Sequence, residues 1–161
     1  MANHGYISSK KNINKKLVQA DLQEINERRF KGKLSIAEMP ADKPTAKGNW
    51  YISYQWNGDE YYAVFHIWVV SVRKLEHRHT HNWGFYIELV FAEELGAKYG
   101  GRCTDEGFSG GWKPEPTKYP SYQAWLDIKY EHAKKYYPDQ EMVNKIIQMD
   151  LEMAPEELRD C

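Results

Sequence analysis

Apolar positions along this chain switch between a helical and a strand period, and the switches divide it into elements. Between residues 12 and 29, Leu17, Leu22 and Ile25 recur on one side among Lys, Gln, Glu and Arg, the spacing of an amphipathic N-terminal helix. Leu34 and Ile36 then alternate with polar neighbours, predicting a short strand over 33–39. It stops at Pro40, in a connector holding Asp42, Lys43, Pro44, Lys47 and Gly48.

Segments 50–56 and 59–72 are dense in aromatic and β-branched residues and flank Asn57-Gly58, the pair that best supplies two positive φ values to a type I′ turn. This predicts a long β-hairpin. A two-residue turn would set Trp56 opposite Asp59, Tyr54 opposite Tyr61, Ile52 opposite Ala63 and Trp50 opposite Phe65. One face would then carry Trp50, Ile52, Tyr54, Trp56, Tyr61, Ala63, Phe65, Ile67 and Val69, the expected core. The other, with Tyr51, Ser53, Gln55, Glu60, Tyr62, Val64, His66, Trp68 and Val70, is mixed, so it should be covered for part of its length.

Beyond Val72 the chain turns charged through Arg73, Lys74 and Glu76, then enters an apolar stretch. Ile87, Phe91, Glu94, Leu95 and Lys98 trace a helical repeat with Asn82 as a cap and Gly100-Gly101 as a stop, predicting a helix over 83–99. A strand through 85–89 followed by a shorter helix competes, because the apolar run is nearly continuous. A short strand over 102–106 follows, then a Gly- and Pro-rich loop from 107 to 120 with Trp112 as its anchor. That loop lacks the Lys-Ser or Lys-Thr of a phosphate-binding P-loop. Two C-terminal helices close the chain. Ser121 caps one carrying Tyr122, Trp125, Leu126 and Ala133 and broken at Pro138. Asp139 caps another carrying Val143, Ile146, Ile147 and Leu151 and broken at Pro155. The expected fold class is α+β: a single domain over 1–161, with an antiparallel sheet built on the hairpin and helices on one face or at one end.

Composition supports one domain: 161 residues, 42% hydrophobic and 28% charged, suit one globular core, and no repeat or low-complexity tract is present. No apolar stretch approaches the roughly 18 residues of a membrane span and no apolar leader follows Met1, so a cytoplasmic, intracellular protein with no membrane partner is expected. Cys103 and Cys161 make no disulfide framework and are expected to be reduced. The net charge of −1 hides an imbalance. Residues 1–34 hold eight Lys or Arg against three acids, while residues 139–161 hold seven acids against Lys145 and Arg159. The basic end suits a nucleic acid or an acidic partner; equally, both ends could be solvated helix faces or neutralise each other.

The most suggestive chemistry is Glu76-His77-Arg78-His79-Thr80-His81, where three of the six histidines stand at alternate positions. On an extended strand His77, His79 and His81 share a side. They could then hold zinc or another divalent metal, with a carboxylate or water completing the shell. Glu88, Asp105, Glu106, His66 and His132 are the candidate further ligands. In a helix only His77 and His81 would align, and in an exposed loop the imidazoles would form a polar corner with Arg73, Lys74 and Arg78. No motif of a known metallohydrolase accompanies them. Cys103 as a nucleophile and the adjacent carboxylate pairs Asp59-Glu60, Glu93-Glu94 and Asp105-Glu106 lack convergent geometry, since neighbours point apart.

Twelve tyrosines and six tryptophans exceed the needs of one small core, and these residues dominate interface hot spots and base-stacking platforms. The candidate binding residues are Tyr51, Tyr62, His66, Trp68 and Arg78. The function expected from these features is a small non-enzymatic binding protein with a protein partner, in the manner of a viral or mobile-element accessory protein that occludes or bridges its target. A single-stranded nucleic-acid binder using the same face and the basic helix, and a metal-dependent hydrolase using the histidines, are the alternatives.

Overall fold

The computed structural model describes residues 4–40, 47–56, 60–79, 82–105, 111–153, 156–159 and 161. It is an α+β fold whose contacts group into two compact units, Met1–Pro116 and Thr117–Cys161. The first unit holds six strands and two helices: β1 His4–Ser8, α1 Lys15–Phe30, β2 Leu34–Glu38, β3 Asn49–Trp56, β4 Glu60–Ser71, β5 Lys74–His79, α2 Asn82–Lys98 and β6 Arg102–Asp105. The strands form one antiparallel sheet in the order β2-β3-β4-β5-β1-β6.

Helix α1 begins where Asn14 accepts a hydrogen bond from the Lys16 amide and ends at Lys31, whose φ of 54° turns the chain out of the helix. Its buried stripe is Val18, Leu22, Ile25, Asn26 and Phe30. Leu17, expected on that stripe, is instead 57% exposed, because Val18 takes the inward position one residue on. Asn26 is buried yet satisfied: its side chain donates to the Leu34 carbonyl at 2.8 Å and accepts from the Leu34 amide at 3.0 Å, tying α1 to β2.

The hairpin forms with a different register from the one a two-residue turn would give. Trp56 pairs with Glu60 and Tyr54 with Tyr62, so three residues separate the strands; Asn57-Gly58 itself lies outside the described residues. A bulge at Ile52/Ser53 then absorbs one extra residue of β4, setting Ile52 against Phe65 and Trp50 against Ile67. The pairing is then two residues from the expected register, which returns side chains to their expected faces. Trp50, Ile52, Tyr54, Phe65 and Ile67 all reach the core, and Val64, the extra residue, is buried as well.

Two further differences bear on function. After a tight turn at Val72 and Arg73 the chain re-enters the sheet as β5, so the histidine segment is an interior strand between β4 and β1. The N-terminal residues, which carried no strand expectation, supply that neighbour as β1. Helix α2 runs from Asn82, and the competing strand over 85–89 does not form. It is buried continuously from Tyr86 to Glu93, which explains its nearly continuous apolar run: a helix enclosed on every side needs no polar stripe, and the acids within it, Glu88 and Glu93, are buried against partners. Phe91 packs against Phe30 and Phe65, with ring centroids 5.7 and 5.0 Å apart.

The second unit holds α3 Tyr122–Tyr136 and α4 Gln140–Met153, then a short 3-10 turn at Glu156–Leu158. Ser121 caps α3 through the Ala124 amide and Asp139 caps α4 through the Glu141 amide, as their positions in the sequence indicate. Cys161 is buried: its thiol donates to the Glu157 carbonyl at 3.7 Å, and its carbonyl accepts from the Tyr122 amide at 3.0 Å.

Candidate functional site

Strand β5 decides where the candidate residues go, because alternate residues of a strand face opposite sides of its sheet. Leu75, His77 and His79 face the side covered by α2, and Glu76 and Arg78 face the other. Across the sheet, Arg78 pairs with His66, which pairs with Tyr51 on the next strand, so these three stand in one row. The named residues thus divide into a closed cluster and an open one.

The closed cluster centres on Glu88 of α2, 2% exposed. His77 Nδ1 contacts Glu88 Oε1, and His79 Nδ1 lies 2.5 Å from Glu88 Oε2, so one carboxylate receives two imidazoles standing two residues apart on the strand. Burial is the largest influence on this carboxyl and pushes its pKa up. The hydrogen bonds and charge of His77 and His79 together outweigh it, holding the pKa below the ordinary carboxylate value. Glu88 is therefore ionised and can only accept, which assigns the facing proton to His77 Nδ1; His79 Nδ1 is at ion-pair distance from the second oxygen without hydrogen-bond geometry, and the carboxylate's charge favours a proton there too. Phe85, one helical turn before Glu88, stacks on the His79 ring at 4.8 Å.

Gly5 makes this arrangement possible. It pairs with His77 from β1, and a Cβ built on it would lie 2.6 Å from His77 Nε2. The imidazole thus lies over the strand where any larger residue would place a side chain. His77 Nε2 is buried and has no hydrogen-bond partner among the described residues. With Nδ1 committed to Glu88 and Nε2 packed over Gly5, His77 has no open position for an incoming substrate. Among the described residues no group of three or more His, Cys, Asp or Glu side chains is arranged to hold a metal ion. His81 and Glu106 lie outside the described residues. Asp105 is placed only by its backbone, opposite Gly5, and His132 belongs to the second unit, where it packs on Tyr136 at 4.5 Å. Of the further ligands suggested by sequence whose side chains are described, Glu88 alone is placed against the histidines; His66 is on the opposite face.

The open cluster is a row of stacked rings. His66 is flanked by Tyr51 at 4.4 Å and 23° between ring planes, and by Trp68 at 4.6 Å and 34°. His66 Nε2 hydrogen-bonds to Asn49 Oδ1, which fixes the ring in the ridge. Partial burial, and then the positive charge of Arg78, lower the His66 pKa against a smaller opposing effect of Glu76, so the imidazole is neutral at neutral pH. Tyr51 is 38% exposed; His66, Trp68 and Arg78 are half-buried. On the same face Lys74 Nζ sits 3.9 Å above the Tyr6 ring. Tyr62 pairs with Tyr54 at the far end of the hairpin, and its side chain lies outside the described residues.

Two structural acids escaped sequence reasoning. Glu93, 1% exposed, accepts from Trp112 Nε1 and the Glu115 amide, both at 2.6 Å, and so pins the Gly- and Pro-rich loop through the tryptophan expected to anchor it. Glu94 receives Arg28 at 2.7 Å and Arg29 at 3.0 Å, bridging the two helices. The sequence signal for both was an acid inside an apolar helix, where an unpaired charge would be costly. No protein-family model, curated protein or solved structure matches this chain.

Proposed function

We propose that this chain is a non-enzymatic interaction protein that engages a partner protein through the sheet face opposite α1 and α2, occluding or bridging its target. The observation that carries the reading is the Tyr51–His66–Trp68 ridge beside Arg78, half-exposed and held in one geometry by stacking and the Asn49 hydrogen bond. Tyr, Trp and Arg are the side chains that concentrate binding energy when a partner desolvates them, and rings already fixed lose little entropy on binding.

Mutual stacking also favours a protein over single-stranded nucleic acid. A base-stacking platform offers free ring faces, whereas His66 has a ring on two sides. The histidine cluster supports a structural role, since both Nδ1 atoms face Glu88 and His77 Nε2 is buried over Gly5. The test is affinity capture of partners from the native source, followed by calorimetry of the captured protein against the wild-type chain and Trp68→Ala. The expected result is a stoichiometric complex weakened at least about tenfold by the substitution. Unchanged affinity would remove the ridge as the binding face.

A further inference from the structure

The turn end of the sheet gathers four segments that are far apart in the chain. Ser9 donates its amide to the Arg73 carbonyl at 2.8 Å, Ile13 to Val72 at 2.6 Å, Lys10 to Tyr99 at 3.2 Å and Val69 to Gly48 at 2.7 Å. Ser8 pairs with both Lys74 and Arg102. Segments 8–17, 47–48, 69–74 and 98–102 thereby form one end of the first unit. Together they hold nine Lys or Arg and no Asp or Glu, in a chain whose net charge is −1. The carboxylates that reach this end already have partners: Asp21 is taken by Lys98 at 2.6 Å and by the Tyr99 hydroxyl at 2.9 Å, and Glu38 accepts from the Gly48 amide at 3.4 Å.

Local physics does not explain this concentration. Lys15 and Lys16 open α1, whose first turn contains no acid, although a helix N-terminus favours negative charge. Charges held against their own repulsion and against a helix dipole become favourable when an anion arrives. The patch is not purely polar either: Leu17, Val70 and Val72 are 57%, 48% and 65% exposed among the cations. Beyond Trp68 the strand passes through a bulge at Val69/Ser71 into the turn at Val72, and the exposed Val70 and Val72 bring apolar surface from the ridge's own strand to the cationic end.

We propose that this end binds an acidic polypeptide segment carrying apolar side chains, laid along β4 with its carboxylates among Lys10, Lys11, Lys16, Arg73 and Arg102. The inference rests on the reading of the ridge as a protein-binding face and adds the chemistry of the partner. Charge complementarity selects an anion, and the exposed Leu17, Val70 and Val72 select a polypeptide over a phosphate backbone, which would leave them uncovered. The rest of the chain carries the compensating negative charge and would repel a long nucleic acid passing beyond the patch.

The experiment is fluorescence anisotropy of a labelled peptide of alternating Glu and Leu against the full chain. The variants are Lys10→Glu/Lys11→Glu/Arg73→Glu, a second charge reversal Lys16→Glu/Lys47→Glu, and Trp68→Ala, each checked for folding by circular dichroism. Binding should weaken steeply with salt, and the triple reversal should reduce affinity at least about tenfold, with the double reversal acting in the same direction. Unchanged affinity in both reversals would overturn the proposal. So would displacement of the peptide by oligothymidylate or phosphatidylserine vesicles at lower concentrations than unlabelled peptide. Loss of binding in Trp68→Ala with none in the reversals would leave the ridge standing and overturn the cationic end alone.

Discussion

Two histidine environments, one on each side of the same sheet, show how burial and partners decide what an imidazole is for. On the closed side His77 and His79 meet one ionised carboxylate, and Gly5 gives up its side-chain volume to the His77 ring. On the open side His66 is partly exposed, stacked and kept neutral beside Arg78. The closed pair fastens α2 to β5, because the carboxylate comes from the helix and the imidazoles from the strand. The open histidine instead stiffens a ridge presented outward. Alternation along β5 puts the closed pair and Arg78 on opposite faces, and pairing with Arg78 puts His66 of β4 on the open one.

Breaking the closed side should have the largest effect. Glu88→Ala leaves the buried His77 and the partly buried His79 without their carboxylate and should cost about 3–5 kcal/mol in urea denaturation, the range for removing one member of a buried pair. Tyr51→Ala on the open side should cost about 1 kcal/mol or less. Comparable losses would mean that the two faces do not differ in the way described.

Gly5→Ala comes next, at about 1–3 kcal/mol, from forcing a methyl group into the His77 ring. The double variant Gly5→Ala/His77→Ala should be no less stable than His77→Ala alone, since the clash disappears with the ring. Additive losses would place the cost of the glycine substitution in the backbone instead.

Acid should separate the two sides by their windows. Glu88 titrates lower in the folded chain than in the unfolded one. Its contribution is therefore complete above the ordinary carboxylate range and is lost as pH falls through the depressed folded value. His66 also titrates lower when folded, but protonation is what folding disfavours. The unfolded chain takes up that proton first, and stability declines already as pH falls through the ordinary imidazole range. Stability curves against pH should lose the shallow upper decline in His66→Gln and flatten at the acid end in Glu88→Gln. The smallest effect on stability is expected for Trp68→Ala, whose consequence should appear in partner affinity instead.

Much of this division was legible in the sequence. Period-two alternation put His77 and His79 on one side if the segment was extended, and Glu88 was among the acids that could meet them, but the pattern left helix and loop alternatives open and did not separate Arg78 from the histidines. The capping residues Ser121 and Asp139 marked the C-terminal helices correctly. What stayed hidden depends on contacts distant in sequence. The strand His4–Ser8 is recognisable only through its pairing with β5 and β6, and Gly5 has meaning only beside His77. The hairpin register differs because three residues, not two, separate the strands and a bulge at Ile52/Ser53 adds a second shift; the bulge has no strong local signature, although it restores the expected core face. The cationic end could not be seen either. Its nine basic residues come from four segments, of which only the first looked basic by itself.

The central claim is that His77 and His79 are fasteners and not ligands. It is tested most directly by imidazole nitrogen–proton NMR spectra recorded before and after addition of zinc. Both rings should carry their proton on Nδ1 and keep it unchanged with zinc present. Loss of either Nδ1 proton, with a zinc-induced shift of the same nitrogen, would contradict the account and make the closed cluster a metal site.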